Sequence, residues 1–180
     1  PVLSQKISGE KSAVKSTTDK IISSAIDSSS LLGHTEFQAT VNELNYEILP
    51  GRGVRFCYSG FPHDSMGHEW FLKKARDLRG KTVRIDYRGY VPHEMNFRIA
   101  RSDTSAAVVK KVKLQDSSFA DQSILIEVPN ALPFRDVRHL KFWFGREDAG
   151  RSYGDFVIGK ITVLDSGTGN NPAPAELRAE

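Results

Sequence analysis

The chain has 180 residues, a formal net charge of +3 and an isoelectric point near 9.0. This length accommodates one well-buried domain with tails, and the charge is too low for a dedicated nucleic-acid binder. We therefore expect no nucleic-acid partner. The single cysteine, Cys57, excludes an intrachain disulfide. No apolar run approaches the ~18 residues of a membrane-spanning helix, so we expect no membrane span.

Three regions of different composition follow one another along the chain. Residues 1–35 are rich in Ser, Lys and Thr and are predicted to form a linker or an N-terminal arm. Residues 36–165 alternate short apolar and polar runs and are expected to form the folded domain. Residues 166–180 combine Gly, Asn, Pro and Ala without periodicity, as a C-terminal linker or disordered tail would. Linkers on both sides would connect the domain to neighbouring domains of a longer chain.

The alternating runs within residues 36–165 predict an all-β domain. In chain order they are "GVRFCYS", "KTVRIDYRGY", "EMNFRIAR", "VVKKVKL", "QSILIEV", "HLKFWFG" and "DFVIGKITVL", separated by turn signals. Short strands at this spacing are typical of a two-sheet antiparallel β-sandwich, or jelly roll. The segment "GHEWFLKKARDLRG" fits either a strand ending in a turn or one short helix.

Successive side chains of a strand point to opposite faces, so each run divides into two sets. The apolar set is the predicted core: Val54, Phe56, Tyr58, Val83, Ile85, Tyr87, Met95, Phe97, Ile99, Ile124, Ile126, Val128, Leu140, Phe142 and Phe144. The opposite set is polar and mostly basic: Arg55, Cys57, Arg84, Asp86, Arg88, Asn96, Arg98, Ser123, Leu125, Glu127, Lys141 and Trp143. The alternation does not determine which strands are neighbours.

Trp143 stands out because it shares the polar set with Lys141. The polar face of an antiparallel sheet commonly faces water, with charges paired across the strands, and such a face is one interpretation. The other is an indole left open beside planar guanidinium groups, a combination suited to sugar hydroxyls, carboxylates or stacked rings.

Three segments resemble the galactose-binding-like jelly rolls found as carbohydrate-binding modules in bacterial polysaccharide enzymes. They are "ARDLRGKTVRIDYRGY", "LKFWFGRED" and "GDFVIGKITVLD", in the order that the family has them. The resemblance covers residues 37–165 and implies a sheet face on which aromatic residues stack on sugar rings. The matching ligand-binding positions are Trp143, Arg84, Asp86, Arg98 and Lys141.

Many members of that family hold a structural calcium ion, often through an acidic residue in the final strand. This sequence has Lys160 in "IGKITV" at that place, a departure that puts calcium in doubt. We therefore expect no cofactor.

Other chemistry is less well supported by the sequence. The segment "HDSMGHE" places His63, Asp64, His68 and Glu69 close together, but the spacing matches no helical zinc motif, and Gly67 with Ser65 favours a polar loop. No phosphate-binding glycine loop and no nucleophile elbow is present.

Two further groups could carry catalysis. Cys57 lies within a predicted strand and needs a nearby histidine to act as a nucleophile, so a small packed residue is the simpler interpretation. Asp86 and Glu127 could form the acid pair of a glycosidase only at about 5 to 10 Å. We expect no enzyme.

The leading hypothesis is therefore a noncatalytic carbohydrate-binding module of an extracellular or periplasmic protein. The excess of cations in the polar set favours an acidic polysaccharide. The alternative is a structural or protein-interaction β-sandwich of a secreted or envelope protein, in which Trp143 anchors an interface. Fold alone does not choose between them, because function lies in the site.

Overall fold

The computed structural model describes residues 29–42, 44–61, 63–102 and 107–165. The 3-10 helix η1 (Leu31–His34) is followed by strands and short helices. These are β1 (Thr35–Val41), β2 (Asn45–Leu49), β3 (Gly53–Ser59), β4 (Ser65–Arg76), β5 (Thr82–Tyr90), β6 (Glu94–Ala100), β7 (Ala107–Lys113), β8 (Ser117–Glu127), the 3-10 helix η2 (Leu132–Phe134), β9 (Val137–Gly145), α1 (Arg146–Ala149) and β10 (Tyr153–Leu164). The helices among these residues are all too short to cross a membrane.

The strands form two antiparallel sheets of five strands each. The first sheet has the order β1-β4-β9-β6-β7 and the second has the order β2-β3-β10-β5-β8. Consecutive strands often lie in different sheets, so pairing brings together segments that are far apart in the sequence. The predicted all-β, two-sheet antiparallel β-sandwich is confirmed.

The core is an aromatic layer between the two sheets. Phe142 of the first sheet packs edge to face against Phe56 of the second, with ring centroids 5.0 Å apart, and Phe156 lies 6.0 Å from Phe142. Trp70 and Phe142 are nearly inaccessible to solvent. Such contacts add to the burial of large apolar side chains, which is the main source of stability. All the predicted core residues are buried except Ile124, which is partly buried and packs against the core.

Strand β4 resolves the one segment that the sequence left open. Residues 65–76 are extended, so "GHEWFLKKAR" is a strand. The prediction of a polar loop around Ser65 and Gly67 is therefore wrong. The alternation sends His68 and Trp70 into the core, where both are buried. The pattern is hard to recognise in the sequence because a histidine and a tryptophan occupy inward positions.

The packed unit begins before residue 36. Leu31 and Leu32 of η1 are buried, and Ser30 Oγ accepts hydrogen bonds from Leu32 N and from Ile161 N of β10. These contacts fix η1 to the second sheet, so residues 30–35 belong to the domain. The rest of the predicted arm and the tail from residue 166 lie outside the described residues.

Candidate functional site

The five residues predicted to bind a ligand lie on two opposite faces of the sandwich. Lys141 and Trp143 of β9 and Arg98 of β6 point outward from the first sheet. Arg84 and Asp86 of β5 point outward from the second sheet. The two backbone layers of a sandwich lie about 10 Å apart, with the core between them. The five residues therefore cannot form a single site as predicted. Their strands have the same alternation but belong to different sheets.

We call the outer surface of the first sheet the Trp143 face; it consists of the outward side chains of β1, β4, β9, β6 and β7. Strand register arranges these side chains in rows across the sheet. One row is Val41, Gly67, Trp143, Asn96 and Lys111. The next is Ala39, Glu69, Lys141, Arg98 and Val109, and the third is Phe37, Phe71, His139, Ala100 and Ala107.

Trp143 is half-buried on this face. Its cross-strand neighbour on β4 is Gly67, which has no side chain to place over the indole. The approach of the two strands requires a glycine there, since a Cβ at Gly67 would lie 2.3 Å from Phe142 O and 2.9 Å from Trp143 Cβ. Two residues earlier on the same strand, Lys141 places its Nζ 5.8 Å from the centroid of the Trp143 ring, within cation–π range.

A polar network lies along the strand from the indole. Lys141 Nζ donates to Glu69 Oε1 at 2.6 Å, and Arg98 Nη1 donates to Ser102 O at 3.0 Å. Arg98 Nη1 also lies 2.7 Å from His139 Nδ1. A guanidinium can only donate, so Nδ1 accepts and the imidazole is neutral, with its Nε2 proton on the side of Glu69. Burial lowers the pKa of His139, in agreement with this neutral form.

An acidic rim borders the face beyond the row of Trp143. Lys111 Nζ binds Glu94 at 2.7 Å and Asp148 at 2.6 Å, and Asp148 also accepts from Gly145 N. The hydrogen bond from Lys111 lowers the pKa of Asp148. Next to this rim lies an open depression of about 450 Å³, lined by His93, Glu94, Lys113, Leu114, Gln115, Glu147 and Asp148.

The outer face of the second sheet carries charges that pair with one another. Arg84 Nε binds Asp86 at 2.7 Å, and Ser123 Oγ donates to the same carboxylate oxygen at 2.6 Å. Arg55 holds Asp155 through two hydrogen bonds of 2.8 and 2.5 Å, which lower the pKa of Asp155. Much of the basic set seen in the sequence is therefore engaged with acids on this face.

The residues considered for catalysis or metal binding do not converge. Cys57 lies 3.6 Å from Asp155, and burial raises the pKa of its thiol, which keeps it protonated. Asp86 is opposite Ser123, whereas Glu127 is opposite Thr82, which places the two acids about 13 Å apart along the strands. That separation exceeds the glycosidase range of roughly 5 to 10 Å.

The four residues considered for metal binding lie in different places. His68 points into the core while Glu69 points outward, and His63 and Asp64 are exposed before β4. Among the described residues, no three His, Cys, Asp or Glu side chains lie close enough together to bind a metal ion.

The sequence did not identify the residues that β4 and β1 contribute to the Trp143 face. Gly67, Glu69 and Phe71 come from the segment left open between strand and helix, and Phe37 comes from a strand that was not predicted. A period of two through "GHEWF" would have placed Gly67, Glu69 and Phe71 together. Their position beside Trp143 depends on pairing with β9, which is a long-range contact.

Solved structures of similar architecture include parts of an agarase and of a glycoside hydrolase, and a separate carbohydrate-binding module. An exo-β-agarase gives a TM-score of 0.56 at 8% identity, over 73% of this chain and 23% of that chain. A family 11 carbohydrate-binding module from Clostridium thermocellum, solved with a mixed-linked tetrasaccharide, gives 0.52 at 16% identity, over 72% of this chain and 88% of that chain. The glycoside hydrolase domain of Endo-D from Streptococcus pneumoniae gives 0.50 at 14% identity, over 73% and 22%.

These identities are low enough that the similarity concerns the fold. It confirms the resemblance to the β-sandwich of carbohydrate-binding modules. The chain spans 23% of the length of the agarase. No protein-family model matches the chain, and no curated protein does.

Proposed function

We propose that the chain is a noncatalytic carbohydrate-binding module that holds a glycan on the Trp143 face. The observation that carries the proposal is the outward, partly buried Trp143 indole, which faces Gly67 on β4 and lies next to the row of Glu69, Lys141 and Arg98. A sugar ring has an apolar face that can lie on an indole and hydroxyl groups around its edge. The polar row supplies both donors and acceptors for those hydroxyls.

The alternative function is a structural or protein-interaction domain in which Trp143 is an interface anchor. The centres of protein interfaces are depleted in charged residues. Lys141, Glu69 and Arg98 occupy the middle of the Trp143 face, and a protein partner would have to desolvate all three. A glycan instead exchanges hydroxyl groups for water at the same donors and acceptors, which favours the glycan.

The charge of the ligand is a separate part of the proposal. The sequence favoured an acidic polysaccharide because of its excess cations. On the Trp143 face Lys141 pairs with Glu69 and Lys111 pairs with Glu94 and Asp148, so cations and acids nearly balance. These pairings support a neutral glycan. An acidic glycan would bind more weakly as salt increases, since exposed charges are screened over about 8 to 10 Å.

The test is affinity electrophoresis and calorimetry with mixed-linked β-glucan, agarose and polygalacturonate. We expect Trp143→Ala to abolish binding and to lower the thermal midpoint less than Trp70→Ala does, because the partly buried Trp143 removes less apolar surface from water than the fully buried Trp70. Arg98→Ala should weaken binding, whereas Arg84→Ala, the matched control on the opposite face, should not. Retained binding in Trp143→Ala, or equal losses in the two arginine variants, would contradict the assignment.

Salt dependence and thermal melts separate the remaining possibilities. Affinity unchanged between low and high salt indicates a neutral ligand, and a fall with salt indicates an acidic one. A large loss of stability in Trp143→Ala would make the residue a packing or interface residue instead. The proposal also places the module in an extracellular or periplasmic protein with further domains, where cell-wall and matrix polysaccharides occur.

A further inference from the structure

A second aromatic group lies on the Trp143 face, at the other end of β4. Phe37, Phe71 and His139 stand side by side on β1, β4 and β9, and we call them the Phe71 row. The ring centroids of Phe37 and Phe71 are 5.6 Å apart, and those of Phe71 and His139 are 4.7 Å apart. The three rings are tilted by 30 to 38° and form a ridge across three strands.

The ridge is open to solvent on one side. Phe37 is 46% exposed and Phe71 is half-buried, whereas His139 is 1% exposed and supports Phe71 at the inner end of the row. Accessible aromatic rings that adjoin one another, unlike singly exposed apolar residues, are typical of ligand-binding and interaction surfaces. The ring contacts with His139 hold Phe71 in a fixed orientation, as a binding platform requires.

The Phe71 row is aligned with Trp143 along the strands. Trp143 pairs with Gly67 and His139 pairs with Phe71, so the two aromatic groups are four residues apart on both strands, or about 13 Å. The polar row of Glu69, Lys141 and Arg98 lies between them. An aromatic group, a polar row and a second aromatic group thus follow one another in the direction of the strands.

We propose that the Phe71 row is a second sugar-stacking platform and that the ligand is a stretch of a linear polysaccharide lying along β4 and β9. The inference rests on the proposed function of the Trp143 face. A single sugar reaches one platform only, because about 13 Å exceeds the width of one ring. A chain reaches both, with its middle units over the hydrogen-bonding side chains of Glu69, Lys141 and Arg98. The site therefore selects chains long enough to reach both platforms over free monosaccharides.

The experiment compares ligand lengths in variants of the two platforms. The probes are mono- to hexasaccharides of whichever polysaccharide the wild type retains among mixed-linked β-glucan, agarose and polygalacturonate. For the wild type we expect calorimetric affinity to increase up to a length that covers both platforms and then to stay constant. Phe37→Ala and Phe71→Ala should each weaken hexasaccharide binding roughly 3- to 10-fold, the loss of one stacking contact, and leave disaccharide binding unchanged.

Two controls guard against indirect effects. Tyr153→Ala removes a ring that is 56% exposed on the other sheet and should leave all affinities unchanged. Phe37 is the more exposed of the two phenylalanines, so Phe37→Ala should fold normally even if Phe71→Ala loses stability. Thermal melts of both variants establish which case applies.

The outcomes distinguish this inference from the proposed function. If Trp143→Ala abolishes binding but neither phenylalanine variant changes hexasaccharide affinity, the Phe71 row is not a sugar-binding platform. The assignment as a carbohydrate-binding module then stands. If disaccharide and hexasaccharide bind wild type equally, the linear-chain ligand is wrong. A wild-type dimer in sedimentation that Phe37→Ala dissociates would assign the row to a second copy and overturn the inference. Absence of binding to all three polysaccharides would overturn both proposals.

Discussion

Trp70 and Trp143 are the two tryptophans of the chain, and their positions in paired strands give them different roles. Trp70 points inward from β4 and is 1% exposed, while Trp143 points outward from β9 and is half-buried. Their side chains are the same, so the difference arises from the phase of each strand. Intrinsic fluorescence can therefore follow Trp143 on the outer face and Trp70 in the core separately, by comparing the wild type with Trp143→Phe.

His68 is a buried histidine in an otherwise aromatic environment. It is inaccessible to solvent, and its ring lies 4.9 Å from Tyr46 of β2, 5.0 Å from Phe56 of β3 and 4.8 Å from Trp70. Its Nε2 lies 3.2 Å from Gln38 Oε1 of β1, and its Nδ1 has no hydrogen-bond partner among the described residues. None of these neighbours carries a charge at neutral pH. Burial lowers the pKa of His68 to about 3.

This pKa predicts a loss of stability in mild acid. The unfolded imidazole titrates near 6.5, above its folded pKa, so the unfolded state binds more protons and the free energy of unfolding decreases as pH falls below 6.5. Between pH 6.5 and 5 we expect His68 to account for a loss of about 2 kcal/mol, at about 1.4 kcal/mol per unit. The measurement is urea unfolding at several pH values, over a range in which most carboxylates remain ionised.

A second buried histidine, His139, allows an independent test of the same effect. His68→Gln should flatten the pH dependence by that amount, and His139→Gln should flatten it too, because burial also lowers the pKa of His139. Equal pH dependence in wild type and His68→Gln would mean that His68 takes up a proton in the folded state. The neutral environment described above would then be wrong.

Strand β4 determines the surroundings of Trp143. It pairs with β1 on one side and β9 on the other, and its outward residues Gly67, Glu69 and Phe71 lie beside the indole, the polar row and the second aromatic group. Its inward residues complete the core. One strand thus connects the stability of the first sheet with the shape of its outer face.

At the scale of this element, the close approach of β4 and β9 predicts that Gly67 cannot be replaced. Gly67→Ala places a methyl group 2.3 Å from Phe142 O, so the two strands must separate. We expect a loss of roughly 1 to 3 kcal/mol in denaturant unfolding, as for other overpacked sites, together with weaker glycan binding because Trp143 is displaced.

Gly159 of β10 provides the control for this prediction. A Cβ at Gly159 would lie 3.7 Å from its nearest neighbours, Arg52 O and Asp86 O, which is ordinary contact. Gly159→Ala should therefore leave both stability and binding nearly unchanged. If Gly67→Ala behaved in the same way, the tight contact between β4 and β9 would be disproved.

For the whole molecule, η1 sets the N-terminal limit of the stable domain. Leu31 and Leu32 are 5% and 0% exposed, and Ser30 connects η1 to β10. A chain of residues 36–165 lacks these contacts. Since burying each leucine contributes about 1.5 to 3 kcal/mol, we expect it to lose roughly 3 to 6 kcal/mol of unfolding free energy relative to a chain of residues 29–165.

Residues 1–28, by contrast, have a composition poor in large apolar side chains. We expect the chain of residues 29–165 to unfold with the same midpoint as the full chain, because such a composition buries little apolar surface. Thermal unfolding of the three chains makes the comparison. A lower midpoint for residues 29–165 than for the full chain would mean that part of residues 1–28 or of residues 166–180 packs on the domain.

The alternation of apolar and polar residues was enough to predict the class of fold and most of the core. Runs such as "KTVRIDYRGY" and "HLKFWFG" alternate with a period of two, which depends on each strand alone and identifies Ile85 and Phe142 as core residues without knowledge of their partners. The same period placed Trp143 on a polar outer face. It failed for β4, where His68 and Trp70 obscure the pattern.

Which outward residues share a face follows from strand pairing, which is seen in the folded molecule and not in the alternation. Arg84 and Arg98 have the same alternation, but β5 pairs with β10 and β8 while β6 pairs with β9 and β7, so the two arginines lie on opposite sides of the sandwich. Strand pairing also brought Phe71 of β4 next to His139 of β9. Strand pairing joins segments distant in the chain and is selected by the packing of the whole core, so no local pattern contains it.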